Sequence, residues 1–167
     1  MKHLGTKTLE TERLLLRKSN INDVDEYDDD PSGQKNYIEQ VMKKYDKPDF
    51  YYWTFVEKMG NKAVGYICTV NDDEKTLSCE MAYETKAEYR NNGYASEALK
   101  RVLEFLLVEV EYNRISAGHL ADNPASGRVM RKAGMKHEGT RRQDIRNSEG
   151  ILTDSELYGI LREDLLE

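Results

Sequence analysis

The chain has 167 residues, 38% of them apolar, and a formal charge of −6. That length suits one domain with a proper core, and the negative balance argues against a nucleic-acid partner, which requires a net basic face to displace counterions. No run of about 18 apolar residues exists to span a membrane, the opening MKHLGTKTLE carries no apolar signal segment, and two cysteines are too few for a disulfide framework, so the expectation is a cytoplasmic protein.

Taken in order, Thr8–Lys18 predicts a strand over Arg13–Arg17, entered through the polar Glu10-Thr11-Glu12. Ser19-Asn20 reads as a cap before a helix over Ile21–Tyr27. Six of the eight residues from Asp23 to Asp30 are acidic, which suits either a solvated face or attraction of a cation. Pro31-Ser32-Gly33 reads as a break. Tyr37, Ile38, Val41, Met42 and Tyr45 then recur at helical spacing and predict a helix over Gln34–Tyr45. Phe50–Glu57 and Ala63–Val70, rich in aromatic and β-branched residues, read as strands joined by Met59-Gly60-Asn61-Lys62.

Asn71–Lys75 predicts a hairpin turn into a strand over Thr76–Tyr83. Symmetric pairing about Asp73/Glu74 sets Cys68 opposite Cys79 as two packed thiols. No CxxC motif occurs, and the three histidines have no metal-ligand spacing, so no metal is expected. Ala95, Ala98, Leu99, Val102, Leu103, Leu106, Leu107 and Val110 form the apolar stripe of a long helix. Arg114–Ala117 follows as a short strand. Asn123-Pro124 starts a helix that Ala133-Gly134 ends. Met135–Gln143 and Ile151–Ile160 read as a closing hairpin, and Leu161–Leu166 as a short helix. Residues 1–167 thus form one α/β domain with seven strands in a single sheet.

The stretch between Tyr83 and Ala95 carries the most chemistry. A turn of small residues passes from a strand into a long helix, whose first amides have no partner inside the helix. With the helix dipole behind it and Arg90 beside it, such a turn is an anion site. An ordinary Asn92-Gly93 turn gives the same local pattern.

Arg90-x-x-Gly93-x-Ala95 resembles the pyrophosphate signature of the GNAT superfamily of acyl-CoA N-acyltransferases. Leu9-Glu10-Thr11-Glu12-Arg13, Asn123-x-x-Ser126, Lys132-Ala133-Gly134 with Glu138-Gly139, and Asp154-x-x-x-Tyr158 resemble further segments of that family, in their order. They are closest to the branch that modifies ribosomal-protein N-termini and small amines. Met135 stands where the family usually has phenylalanine.

The resemblance implies a GNAT-type fold: one mixed, mostly antiparallel seven-stranded sheet, flanked by four to five helices and splayed between its fourth and fifth strands. It implies acetyl-CoA as cosubstrate and an amine acceptor, either a small molecule or a peptide N-terminus, in a monomer or homodimer. Arg90 and the amides of Asn91, Asn92, Gly93, Tyr94 and Ala95 would hold the pyrophosphate. Main-chain groups at Met81, Ala82 and Tyr83 would meet pantetheine and the oxyanion. Asn123 would touch the pantetheine arm or simply cap its helix. Arg128, Arg131 and Lys132 would meet the ribose phosphate or face solvent.

For catalysis, the resemblance points to Glu80 as the residue that polarises the amine, although a cross-strand glutamate reads the same way. The family's proton-donating tyrosine is replaced by Met130, which passes the acid role to Ser126, a residue equally at home in a first helical turn. The alternative to an enzyme is a CoA-binding module of the same fold with little or no turnover.

Overall fold

The computed structural model describes residues 1–24 and 31–166. Its eight strands are β1 (Leu9–Glu10), β2 (Leu14–Arg17), β3 (Tyr52–Glu57), β4 (Lys62–Asp73), β5 (Ser78–Thr85), β6 (Arg114–Leu120), β7 (Lys136–Arg146) and β8 (Leu152–Leu161). They form one sheet in the order β1-β2-β3-β4-β5-β6-β8-β7. The helices are α1 (Pro31–Met42), α2 (Tyr94–Glu104) and α3 (Pro124–Lys132). Alternation along the strands sends Leu14, Leu16, Trp53, Phe55, Ile67, Cys79 and Met81 into the main core, under the apolar stripe of α2. The opposite face carries a smaller cluster of Val41, Tyr52 and Cys68 beneath α1.

All neighbouring strands are antiparallel except β5 and β6. That parallel pair is joined only over Ser78↔Arg114, Cys79↔Ile115 and Glu80↔Ser116. Past Glu80 the strands part: β6 continues to Leu120 against β8, while β5 continues to Thr85 against β4. The sheet therefore opens in a wedge, and one edge of β5 from Met81 onward faces the gap. This is the expected splay between the strands numbered fourth and fifth from sequence.

Several elements differ from the sequence reading. The eighth strand is the two-residue β1, which pairs Leu9 with Leu16. The expected helix over Ile21–Tyr27 is a single 3₁₀ turn, Ile21–Asp23, because Val24 already has extended backbone; residues 25–30, with most of the acidic run, lie outside the described residues. Pro31 opens α1 rather than breaking the chain, in keeping with the preference of proline for the first helical position. The long stripe continues through residue 110, but Phe105–Val110 is a π-helical segment. That wider winding brings Phe105, Leu106 and Leu107 inside together with Val110.

The hairpin register also changes. Cys68 faces Ala82 and Val70 faces Glu80, since β4 runs on to Asp73 through a bulge. The odd shift turns Cys79 to the other face. Cys79 lies in the main core and Cys68 in the cluster under α1, and both are free. Burial raises the Cys68 thiol to about 11 and moves Cys79 up as well.

Gly65, in the middle of β4, sits where no side chain fits. A Cβ there would stand 2.3 Å from both the Glu84 carbonyl oxygen and Phe55 Cζ. Among the described residues, no helix is long and apolar enough to cross a membrane.

Candidate active site

The turn from β5 into α2 has the backbone of an anion cradle. Asn91 (φ 63°) and Gly93 (φ 79°, ψ 5°) are both left-handed, and Gly93 is the residue that precedes the first turn of α2. No acceptor among the described residues is bonded to the N–H of Asn91, Asn92, Gly93, Tyr94, Ala95 or Ser96. These amides border a cleft of about 550 Å³ that extends to Asn123, Ser126, Arg128 and Lys132 on α3. The Arg90 side chain lines the same cleft, donating from Nε to the Thr85 carbonyl at 3.2 Å. Helix dipole, unpaired amides and three cationic side chains thus converge on one concave surface.

A clamp from the start of the chain holds this turn. Arg13 Nη1 donates to the Asn92 carbonyl at 2.8 Å, its Nε donates to Glu97 Oε2 at 2.8 Å, and its guanidinium lies over the Tyr94 ring at 4.7 Å. Glu97 Oε1 also accepts from Thr11 Oγ1 at 2.5 Å and from the Arg13 amide at 2.9 Å. Burial by itself would raise the Glu97 carboxyl, but these bonds outweigh it and hold the group below the ordinary carboxylate range. A carboxyl so depressed stabilises the fold above its unfolded-state pKa and loses that contribution as pH falls through its folded value. Glu97→Gln should therefore lower the melting temperature at neutral pH, with the gap to the parent closing as pH drops below about 4; melting curves across that range check this.

Sequence reasoning missed the clamp. Residues 11–13 and 97 are far apart in the chain, and neither period nor motif links them. Glu97 gave only the weak sign of an acid in a first helical turn.

The other predicted residues separate into those the cleft gathers and those it does not. Tyr83 and Ser126 meet across it, Oη to Oγ at 3.2 Å. Burial raises the Tyr83 hydroxyl, opposed in part by its bond to Ser126. Met130 is 1% exposed and belongs to the core. Asn123 borders the cleft, and its side chain makes no capping bond to α3. Arg128 and Lys132 line the cleft, whereas Arg131 turns away, donating to Tyr158 Oη at 2.6 Å. His119 packs against the Tyr158 ring, with Nδ1 at 2.6 Å from the Leu120 carbonyl.

Along β5, Met81 offers the gap only its main chain, since its side chain is buried. Glu80 sits on the last paired rung before the wedge, and its Oε2 accepts from Asn71 Nδ2 at 2.8 Å. It borders neither that cleft nor the one described next.

A second cleft, of about 420 Å³, lies on the α1 side of the sheet. Thr54, Tyr66 and Glu84 form one row across β3, β4 and β5 in its floor. Among the described residues, Glu84 is the one that borders both clefts. The acidic run that begins at Asp23 was the one sign of this cleft in the sequence; the rest of its lining comes from several elements far apart in the chain.

Comparison with known proteins agrees with this geometry. Residues 13–136 match the family model described as an acetyltransferase (GNAT) domain. The Bacillus subtilis (strain 168) protein named uncharacterized N-acetyltransferase YnaD is 30% identical over 170 residues, covering 92% of this chain and 96% of its own. A GNAT-family acetyltransferase structure from Bacillus anthracis superposes with a TM-score of 0.79 at 28% identity, over 94% of this chain and 99% of that one. Ribosomal-protein-S5-alanine acetyltransferase from Vibrio fischeri shares the fold at 18% identity, with a TM-score of 0.80 and coverage of 95% and 98%. With its splayed sheet and open amide turn matched by a family model over most of its length, the chain belongs to the GNAT acetyltransferases.

Proposed function

We propose that the protein transfers the acetyl group of acetyl-CoA to a primary amine, a small molecule or a peptide N-terminus, by direct attack in a ternary complex. The observation that carries this reading is the run of six unpaired amides, Asn91 to Ser96, on a cleft that meets a second cleft at Glu84. Those amides and Arg90 suit the diphosphate of the donor. The main-chain edge of β5 from Met81 to Tyr83, left open by the wedge, suits pantetheine and the thioester. An N–H on that edge that meets the developing oxyanion contributes roughly 3–4 kcal/mol.

In the reaction the neutral amine attacks the thioester carbonyl. The C–N bond forms, the C–S bond breaks, and the nitrogen loses one proton while the departing sulfur gains one. An alkylamine with a pKa of about 10.4 is charged at neutral pH, so a carboxylate must take its proton. Glu80, one rung from the open edge of β5 but outside both clefts, takes that proton through intervening water. Ser126, with Tyr83 Oη at 3.2 Å from its oxygen, passes a proton to the thiolate and takes up in exchange, through solvent, the one the nitrogen releases after attack.

The test is free-thiol release from acetyl-CoA across an amine panel, with the acetylated product identified by mass. Under this reading Glu80→Gln slows turnover near neutral pH by roughly a hundredfold. The deficit shrinks as pH approaches the amine's own pKa, and CoA affinity stays unchanged. An unaltered pH–rate profile would remove Glu80 from the scheme.

One observation favours a second reading, a CoA-binding module with little turnover: the buried Met130, which cannot donate a proton, stands where the family resemblance implies a proton-donating tyrosine. Tight CoA binding with no amine-dependent thiol release would select it.

A further inference from the structure

The α1-side cleft has a chemical character of its own. Tyr52 and Tyr66 stack in its floor with centroids 5.4 Å apart and planes 8° apart, and Tyr37 on α1 stands edge-on to Tyr52 at 6.2 Å. Around these rings stand the carboxylates of Asp23, Glu84 and Glu88, with Lys86 as the one cationic side chain among the described residues of the lining. Asp23 is already matched, because Arg17 grips both of its oxygens at 2.9 and 2.7 Å.

Glu84 is held only loosely. Its nearest cation, Arg90, is 3.9 Å away and also lines the donor cleft. Register puts Glu84 directly beside Tyr66, whose hydroxyl is raised to about 12, chiefly by burial and further by the Glu84 charge. Aromatic faces beside carboxylates attract a cation twice over, through the ring quadrupole and through the charge.

Placement adds a constraint on length. Glu84 lies one to three residues along β5 from the open Met81–Tyr83 edge, roughly 3–10 Å at the strand rise. An acceptor seated in this cleft must therefore send its reacting nitrogen past Glu84 toward the wedge, while the rest of it stays among the tyrosines and Glu88. If the acceptor carried only one charge, the carboxylates and rings of the cleft would compete with the reaction for that nitrogen. A second cationic centre removes the conflict.

We propose that this cleft is the acceptor site and that its substrate is an amine bearing a second positive charge, held by the Tyr37–Tyr52–Tyr66 wall and Glu88 while Glu84 guides the reacting end into the donor cleft. The proposal rests on the acetyl-transfer reading for its chemistry, but the binding site stands on geometry alone.

The experiment compares 1,5-diaminopentane with pentylamine, two probes of equal carbon count and unequal charge. Thiol release from acetyl-CoA and calorimetric binding to the CoA-loaded protein are both measured. The diamine should be preferred by about tenfold in kcat/KM and in affinity. Glu88→Gln and Glu84→Gln should each shrink that preference, and the double variant should bring it within about twofold. Equal use of the two amines, a preference that survives both substitutions, or no calorimetric binding of the diamine would overturn the proposal. Diamine binding that weakens in Glu88→Gln, with no thiol release from either amine, would uphold the acceptor site and defeat the acetyl-transfer reading instead.

Discussion

A Gly93→Val chain is expected to remain folded and to lose affinity for acetyl-CoA by about a hundredfold or more, the equivalent of roughly 3 kcal/mol. Gly93 has φ 79°, a region that a β-branched residue enters only under strain. A Cβ there would also stand 3.3 Å from Arg13 Nη2, in the clamp that holds the turn. Relieving both conflicts rotates the peptide planes around residue 93, and several amides then cease to converge on the cleft. Because the cradle acts through alignment, the loss exceeds that of any one hydrogen bond. Calorimetry with CoA measures the effect, and a melting curve establishes that the fold is retained. Intact affinity would place the donor elsewhere in the molecule.

Gly65→Val should act on stability instead, lowering it by about 3 kcal/mol or more. In a chain of this length that corresponds to a melting temperature lower by roughly 6–12 °C. The contacts that a side chain would meet at 2.3 Å are a main-chain carbonyl of β5 and the ring of Phe55. Phe55 is 0% exposed, so its ring has nowhere to retreat, and the carbonyl belongs to the strand that carries Glu84. The same substitution should therefore disturb the α1-side cleft, which Gly65 and Glu84 both line, even in the fraction that folds. A melting temperature within a few degrees of the parent would mean that β4 and β5 separate there at little cost.

The elements most legible in the sequence were those whose evidence is local. The stripe from Ala98 to Val110 marked the long helix, the aromatic and β-branched runs marked β3 and β4, and Asn123-Pro124 with Gly134 marked both ends of α3. The amide cradle was legible too, since Asn92-Gly93 between a strand and a helix is a local signal. Register was harder to read. Asn71 to Thr76 is polar throughout and offers several turn positions of similar merit, so only the packing of β4 chooses among them. The left-handed Asn71 and Leu77 that result have no sequence mark beyond the asparagine.

The clamp of Arg13 on Glu97, the meeting of Tyr83 with Ser126 and the α1-side cleft are long-range products of the sheet order. No window of residues contains them. The π-helical segment after Glu104 was hidden for another reason, as its residues are apolar enough to satisfy an α-helical stripe equally well.

The sulfurs on opposite faces of the sheet carry a consequence for how the molecule breathes. A sheet layer stands between them, so an oxidant cannot staple the native chain to itself, and each thiol becomes reactive only when its own side loosens. Cys68 answers to the lifting of α1 and Cys79 to the parting of the main interior. A thiol-trapping time course would thus carry two clocks, one for the roof formed by α1 and one for global unfolding.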